Sequence, residues 1–215
     1  MTDNTSAPQK SRQTTARNRK LRRVAATGML AAVAFALMFV EFPIPMLIPP
    51  FIKFDFSDLP ALLGAFAFGP WTGVLIELLK NLLHIALKGT SSAFVGELCN
   101  FLLGSVMCLV AGLLYKRKKT KKRAVLGSLI GCLAMAVASV PLNYFIVYPT
   151  YEVAFHLPME TIVAMYSAIL PSADNLLKCL LIFNLPFTFV KGLADAVICI
   201  LIYKPLSPFL KGKHQ

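Results

Sequence analysis

The stretch FDFSDLPALLGAFAFGPWTGVLIELLKNLLH, residues 54–84, decides how this chain is read. It is apolar enough for a membrane, yet Asp55 and Asp58 stand at its entrance. Glu77, Lys80, Asn81 and His84 lie inside its second half. On a helix, Glu77, Asn81 and His84 are spaced i, i+4, i+7 and share one face. Glu77 and Lys80, at i and i+3, can neutralise each other. Ionisable groups within a span are costly unless paired or wet, so this face turns to the protein interior. Two uses fit it: a buried polar knot that fixes helix packing, or the polar wall of a ligand cavity.

The rest of the chain places this stretch in a membrane. It has 215 residues, of which 57% are hydrophobic. Its mean hydropathy is +0.67. The apolar residues come in blocks close to the ~20 needed to cross a bilayer. The reading is an all-α integral membrane protein with six transmembrane helices and cytoplasmic N- and C-termini. The spans are expected at 24–40, 58–68, 70–87, 94–115, 124–148 and 176–203. Asp58 is expected to cap the second, and Gly69-Pro70 to break it from the third. Residues 1–23 read as a basic disordered tail, 24–205 as the membrane domain and 206–215 as a second tail. Outer segments are expected at 41–57 and 149–175, the latter with a short helix around 159–169.

The formal net charge is +12, and its location sets the orientation. Basic residues cluster before the first span, at Lys116, Arg117, Lys118, Lys119, Lys121, Lys122 and Arg123, and at the C-terminal end. Six spans put all three clusters on one side, the positive-inside pattern. Such clusters suit anionic lipid headgroups. No aromatic residues interleave with them, so no nucleic-acid platform is indicated.

Enzyme signatures are missing from the sequence. It has no GxxxxGK[ST], HExxH or GxSxG motif. His84, His156 and His214 do not cluster, so no catalytic residue is assigned. Cys99, Cys108, Cys132, Cys179 and Cys199 all lie in apolar runs without metal-ligand spacing. They read as small core residues, and no metal site is expected.

Further polar residues mark a cavity. Lys191 and Asp195 are spaced i, i+4 and can pair. Asn184 and Thr188 lie on the same side of that span, while Asn143 sits in the fifth span beside Pro141. Glu97 and Asn100 add polar atoms at the outer end of the fourth. Residues 41–57 include EFPIPMLIPPFIKF, a loop that is broken by prolines yet apolar. With Phe42, Pro43, Ile44, Pro45 and Phe51 it reads as a lid over a polar pocket. Gly28, Ala32 and Ala36, four apart, form a small-residue stripe that packs internally or docks a partner.

The run KFDFSDLPALLGAFAFGPWTGVLIELLKNLLH, followed by GELCNFLLG, resembles the riboflavin-specific substrate-binding components (S-components) of energy-coupling factor (ECF) transporters. The resemblance extends over residues 24–205. It implies six spans and an outward-facing site that binds riboflavin as transported ligand, with no cofactor. It also implies a lid formed by the first outer loop. The implied partners are a membrane scaffold subunit, docked through Ala32 and Ala36 of GMLAAVAFALMF, and two cytoplasmic ATPase subunits. The family pattern Pro-Phe-Asn-x-x-Lys appears here as PFTFVK, which supplies Lys191 and puts Thr188 in the asparagine position. Asn143 of LNYF matches a family asparagine. The expected binding set is Asn143, Lys191, Thr188, Asn184, Glu77, Asn81, His84, Glu97 and Asn100. Rival readings are an S-component for another flavin or vitamin, an intramembrane enzyme using Glu77 and His84, and a structural adaptor.

Overall fold

The structure, a computed structural model, describes residues 7–45, 47–49, 52–90 and 92–211. Among the described residues it is all-α apart from one two-stranded hairpin. Helix α1 spans Ala7–Phe39. Strands β1 (Phe42–Pro43) and β2 (Lys53–Phe54) pair antiparallel, Phe42 facing Phe54 and Pro43 facing Lys53. Helices α2 (Leu59–Phe68), α3 (Pro70–Lys88), α4 (Val95–Arg117) and α5 (Lys121–Leu142) follow. A π-helical turn, Asn143–Val147, carries α5 into α6 (Tyr148–Phe155). Then come α7 (Met159–Ser167), α8 (Leu176–Cys179), a second π-helical turn at Leu180–Asn184, and α9 (Leu185–Lys211).

Among the described residues, four helical segments are long and apolar enough to cross a membrane: Lys20–Phe39, Val95–Arg117, Lys121–Phe155 and Leu176–Tyr203. Helix α2 is apolar but only 10 residues long, which at ~1.5 Å per residue covers half a bilayer core. Helix α3 carries the charges noted above.

Three boundaries differ from the sequence reading. Helix α1 begins at Ala7, so residues 7–23 continue the first span as helix; Lys, Arg, Gln and Ala are good helix formers, and Pro8 stands in the first turn, where its missing donor costs nothing. The segment expected as the fifth span runs on past Tyr148 to Phe155, and α9 extends to Lys211. The short helix expected within 149–175 is α7.

Local chemistry explains the α2–α3 corner. Gly69 has φ +111, a conformation that a side chain resists, and its N–H closes on Ala65 O at 3.0 Å. Pro70 then opens α3, where its missing donor is harmless. Asp58 occupies the N-cap position of α2 but makes no side-chain cap bond. This corrects the expected capping role: its carboxylate goes to lysine side chains instead, because charge-assisted bonds outcompete a neutral amide.

Small residues set the helix spacing. A Cβ on Gly73 of α3 would meet Cys108 Cβ at 2.8 Å and Ala65 Cβ at 2.9 Å. On α4, Gly112 would meet Pro70 at 2.9 Å in the same way. Such close approach lets dispersion and backbone contacts hold helices together where lipid gives no hydrophobic drive.

The buried apolar residues form two clusters. One gathers α1 to α5 and α9 around Ala34, Leu62, Ile76, Met107 and Cys132. The other joins Ile48 of the hairpin loop to Val95, Tyr148, Ile162, Tyr166 and Leu180. Arg23 donates to Thr72 Oγ1 (Nη2 at 2.6 Å) at the start of α3. Tyr203 of α9 donates to Phe66 O at 3.2 Å and lies 3.3 Å from the Tyr115 hydroxyl on α4. These contacts mark one end of the bundle. The hairpin and α7 mark the other.

Candidate functional site

Two adjoining cavities open beneath the hairpin. The first, of about 180 Å³, lies between Ile52, Leu103, Met135, Val147, Tyr148 and Phe187 on its apolar side and Asn100, Asn143, Asn184, Thr188 and Lys191 on its polar side. The second, of about 530 Å³, is more polar. Glu41, His84, Lys88, Thr90, Ser92 and Glu97 line it. Lys53, Gly96, Asn100, Tyr151 and Lys191 border both. The larger falls in the range of ~300–1,000 Å³ usual for small-ligand sites.

The two π-helical turns build the apolar cavity's wall. Pro141 and Pro186 flank them and each withdraws a backbone donor, which weakens the regular ladder locally. The wider turns leave Asn143 and Asn184 at the same cavity; such turns recur at functional sites. Asn143 donates Nδ2 to Ser139 O at 2.7 Å. Asn184 is held in a ring of hydroxyls. Tyr166 donates to its Oδ1 at 2.6 Å, its Nδ2 donates to Tyr148 Oη at 3.2 Å, and the two tyrosine hydroxyls lie 2.6 Å apart. That ring ties α7 to the cavity wall.

At the second cavity, Glu97 Oε2 accepts from Ser92 Oγ at 2.8 Å and Thr90 Oγ1 at 3.0 Å. His84 Nδ1 stands 3.4 Å from Glu97 Oε1. The buried Asn100 Oδ1 has no hydrogen-bond partner among the described residues. A buried acceptor left open beside a cavity is a group waiting for a ligand donor or water.

Beneath the cavities lies a layer of buried charge. Lys191 Nζ is 2.9 Å from Asp55 Oδ2 and 3.6 Å from Asp58 Oδ2. Asp58 also pairs with Lys80, whose Nζ lies 2.8 Å from Glu77 Oε2 and donates to Ser57 Oγ at 2.9 Å. Gly104 makes room for Glu77, since a Cβ there would strike its carboxylate. The Glu77–Lys80 pairing expected from spacing is present.

Other expectations need correction. Lys191 turns to Asp55 and Asp58 rather than to Asp195, four residues on, because two carboxylates brought by the loop and α2 outweigh one helical neighbour. Glu77 and Asn81 border neither cavity. Glu77 is spent in the charge layer, and Asn81 donates Nδ2 to Glu77 O at 2.8 Å along its own helix. Asn143, Asn184, Thr188, Lys191, Asn100, His84 and Glu97 do meet at the cavities. Asp55 and Asp58 were marked at the entrance of the opening stretch but not placed at the cavities, and Lys53, Tyr148 and Tyr151, which also line them, were not singled out. Lys53 had a signal, a lone cation in an apolar loop; the tyrosines had none beyond their proximity to Asn143.

Asp195 is fully buried, and neither carboxyl oxygen receives a hydrogen bond among the described residues. A carboxylate in that state costs stability. Asp195→Asn is therefore expected to keep or raise the melting temperature by a few degrees. Asp58→Asn, which takes one of two carboxylate partners from Lys80 and the more distant of two from Lys191, is expected to lower it. A thermal melt of both purified variants checks the contrast.

The hairpin closes the cavities from above. Phe42 and Phe54 rings stand 5.4 Å apart, and Phe54 reaches Phe187 of α9 at 6.0 Å. Ile52 and Lys53 face the first cavity, and Ile48 is buried in the outer cluster. Ile44 is half-buried, Pro45 is exposed, and Phe51 lies outside the described residues. Glu41 Oε1 ties the hairpin down, 2.6 Å from Lys53 Nζ and 2.9 Å from Lys88 Nζ. Partial burial pushes the Glu41 carboxyl up, but the hydrogen bonds and charges of Lys53 and Lys88 outweigh it and hold the group below the usual carboxylate range. A depressed carboxylate stabilises the tie above its unfolded value, and the tie is lost as pH falls through the folded one. Ligand release is expected to accelerate as pH falls below the ordinary glutamate range in wild type and to lose that acid step in Glu41→Gln, as stopped-flow release would show.

Gly28, Ala32 and Ala36 lie exposed along α1, and a Cβ on Gly28 would meet nothing within 4 Å. Ala26, Leu30, Ala31 and Ala34 form the face packed inward. The small-residue stripe is therefore not used for internal packing.

A helical membrane bundle with a lidded, partly polar cavity at one end defines a substrate-capturing membrane subunit. Residues 22–203 match the sequence model of the family "ECF transporter, substrate-specific component", and the chain belongs to that family. It is 36% identical over 190 residues to "Riboflavin transporter RibU" of Staphylococcus aureus (strain TCH60), covering 88% of this chain and 93% of the relative. It is 31% identical to "Riboflavin transporter FmnP" of Bacillus subtilis (strain 168), covering 91% and 97%. A solved structure, described as the S component of a bacterial ECF transporter, superposes with a TM-score of 0.69 at 34% identity. That match covers 89% of this chain and 99% of the other. The chain is thus a multi-pass membrane protein of a transporter family that works with an ECF module.

Proposed function

We propose that this chain captures riboflavin from outside the cell and delivers it to an ECF module for ATP-driven uptake. The observation that carries the reading is the pair of cavities meeting at Lys191 and Asn100 beneath an apolar lid. Riboflavin has a flat tricyclic ring, a hydrogen-bonding edge and a chain of hydroxyls. The ring fits walls such as Leu103, Met135 and Phe187. The hydroxyl chain suits Thr90, Ser92, Glu97 and His84. The vitamin is uncharged, and the charge layer below is already paired within the protein, so no ligand charge is required.

In this reading α2 and α3 complete six crossings, with both termini cytoplasmic. The basic residues Arg22, Arg23 and Lys116 to Arg123 lie at the bundle end opposite the lid, which supports that orientation. The free stripe of Gly28, Ala32 and Ala36 docks the membrane scaffold subunit, and two cytoplasmic ATPase subunits supply energy. The wild-type protein is expected to quench riboflavin fluorescence on titration; a flat titration refutes the reading. Ala32→Leu is expected to leave that titration unchanged and to cut recovery of the scaffold subunit at least ~tenfold in co-purification. Equal recovery would remove the stripe from the interface.

A further inference from the structure

The cation at the cavity floor is anchored to the lid itself. Asp55 follows β2 directly, is buried, and binds in two directions. Its Oδ1 accepts from Ser57 N at 2.8 Å, which fixes the carboxylate to the turn before α2. Its Oδ2 accepts from Lys191 Nζ at 2.9 Å. One residue earlier, Phe54 packs on Phe187, four residues before Lys191 on α9. The base of the hairpin is therefore attached to α9 at two adjacent points, one aromatic and one ionic.

Lys191 borders both cavities. Its ammonium carries three donors. Asp55 takes one, and Asp58, at 3.6 Å, lies beyond hydrogen-bond range. Donors remain for an acceptor in the cavity. An ammonium held in place by a buried carboxylate has its rotamer freedom already removed, so a ligand that engages it pays little ordering entropy. The same carboxylate is covalently continuous with the strand that covers the ligand.

We propose that Asp55 is a positioning residue: it presents Lys191 to the ligand and links occupancy of the site to closure of the hairpin. This rests on the riboflavin reading above. A merely structural ion pair would alter stability and leave ligand release and the bound flavin's spectrum in step with wild type.

The test compares the purified full chain with Asp55→Asn, Asp55→Glu, Lys191→Met and the double variant Asp55→Asn/Lys191→Met. Three quantities are read: the riboflavin dissociation rate, the visible absorption band of bound flavin, and the melting temperature. Asp55→Asn is expected to release riboflavin at least ~tenfold faster, the scale of a lost charge-assisted hydrogen bond, and to shift the band. Asp55→Glu restores most of both. The double variant releases no faster than Lys191→Met alone, since the two residues act as one unit. Should Asp55→Asn fail to fold, the double variant, in which neither buried charge is stranded, still makes this comparison. A double variant that releases much faster than Lys191→Met, or an Asp55→Asn protein with wild-type release and spectrum, overturns the proposal and leaves the riboflavin reading standing. A wild-type protein that does not bind riboflavin overturns both.

Discussion

Lys80→Met is expected to destabilise the fold by about 3–5 kcal/mol, the cost of breaking a buried ion pair by removing one partner. Lys80 is 0% exposed and serves three groups at once: Asp58, Glu77 and Ser57. Its loss strands the Glu77 carboxylate in an apolar bundle and leaves Asp58 with only the more distant Lys191, at 3.6 Å. Glu77 has no room to reach water, since it is pressed against Gly104, while Asp58, 1% exposed, meets only the floor of the first cavity. At ~2–4 °C per kcal/mol for a chain of this size, the melting temperature should fall by roughly ten degrees. A melt in detergent checks it. A variant as stable as wild type would mean that the charge layer does not hold α2 to α3.

Lys191→Ala is expected to weaken riboflavin binding by about 10–100-fold, the range for a hydrogen bond to a charged donor. The residue borders both cavities, and only 8% of its surface is exposed. Its removal also frees Asp55, so the lid loses an anchor as the ligand loses a donor. Fluorescence titration beside a melting curve separates the two effects: affinity should fall further than stability alone accounts for. Unchanged affinity would remove Lys191 from the site.

The polar face of α3 was legible as buried because its spacing and its cost in lipid are local properties. Its purpose was divided by the fold. His84 reaches the second cavity, whereas Glu77 and Lys80 belong to the charge layer, and Asn81 turns back on its own helix. Periodicity places side chains on one face but does not say how far along the helix a neighbour leaves space. Gly104, 27 positions later, makes the space for Glu77. Asn143 was legible as a cavity residue through Pro141 and the resemblance of LNYF, and Asn184 through its place on the same side of its span as Lys191. The tyrosine ring that orients Asn184 draws on residues 36 and 18 positions away, a separation at which spacing carries no information.

The helical membrane body, the asymmetry of basic charge and the presence of a small-residue stripe on α1 follow from the chain alone, because hydropathy, charge and residue size act residue by residue. Which carboxylate holds Lys191 was decided only by the tertiary structure. Asp195 is four residues away and Asp55 is 136, yet the distant group wins. In a low-dielectric interior the attraction between charges is settled by final distance and by what else shields them, and both are set when the loop, α2 and α9 come together.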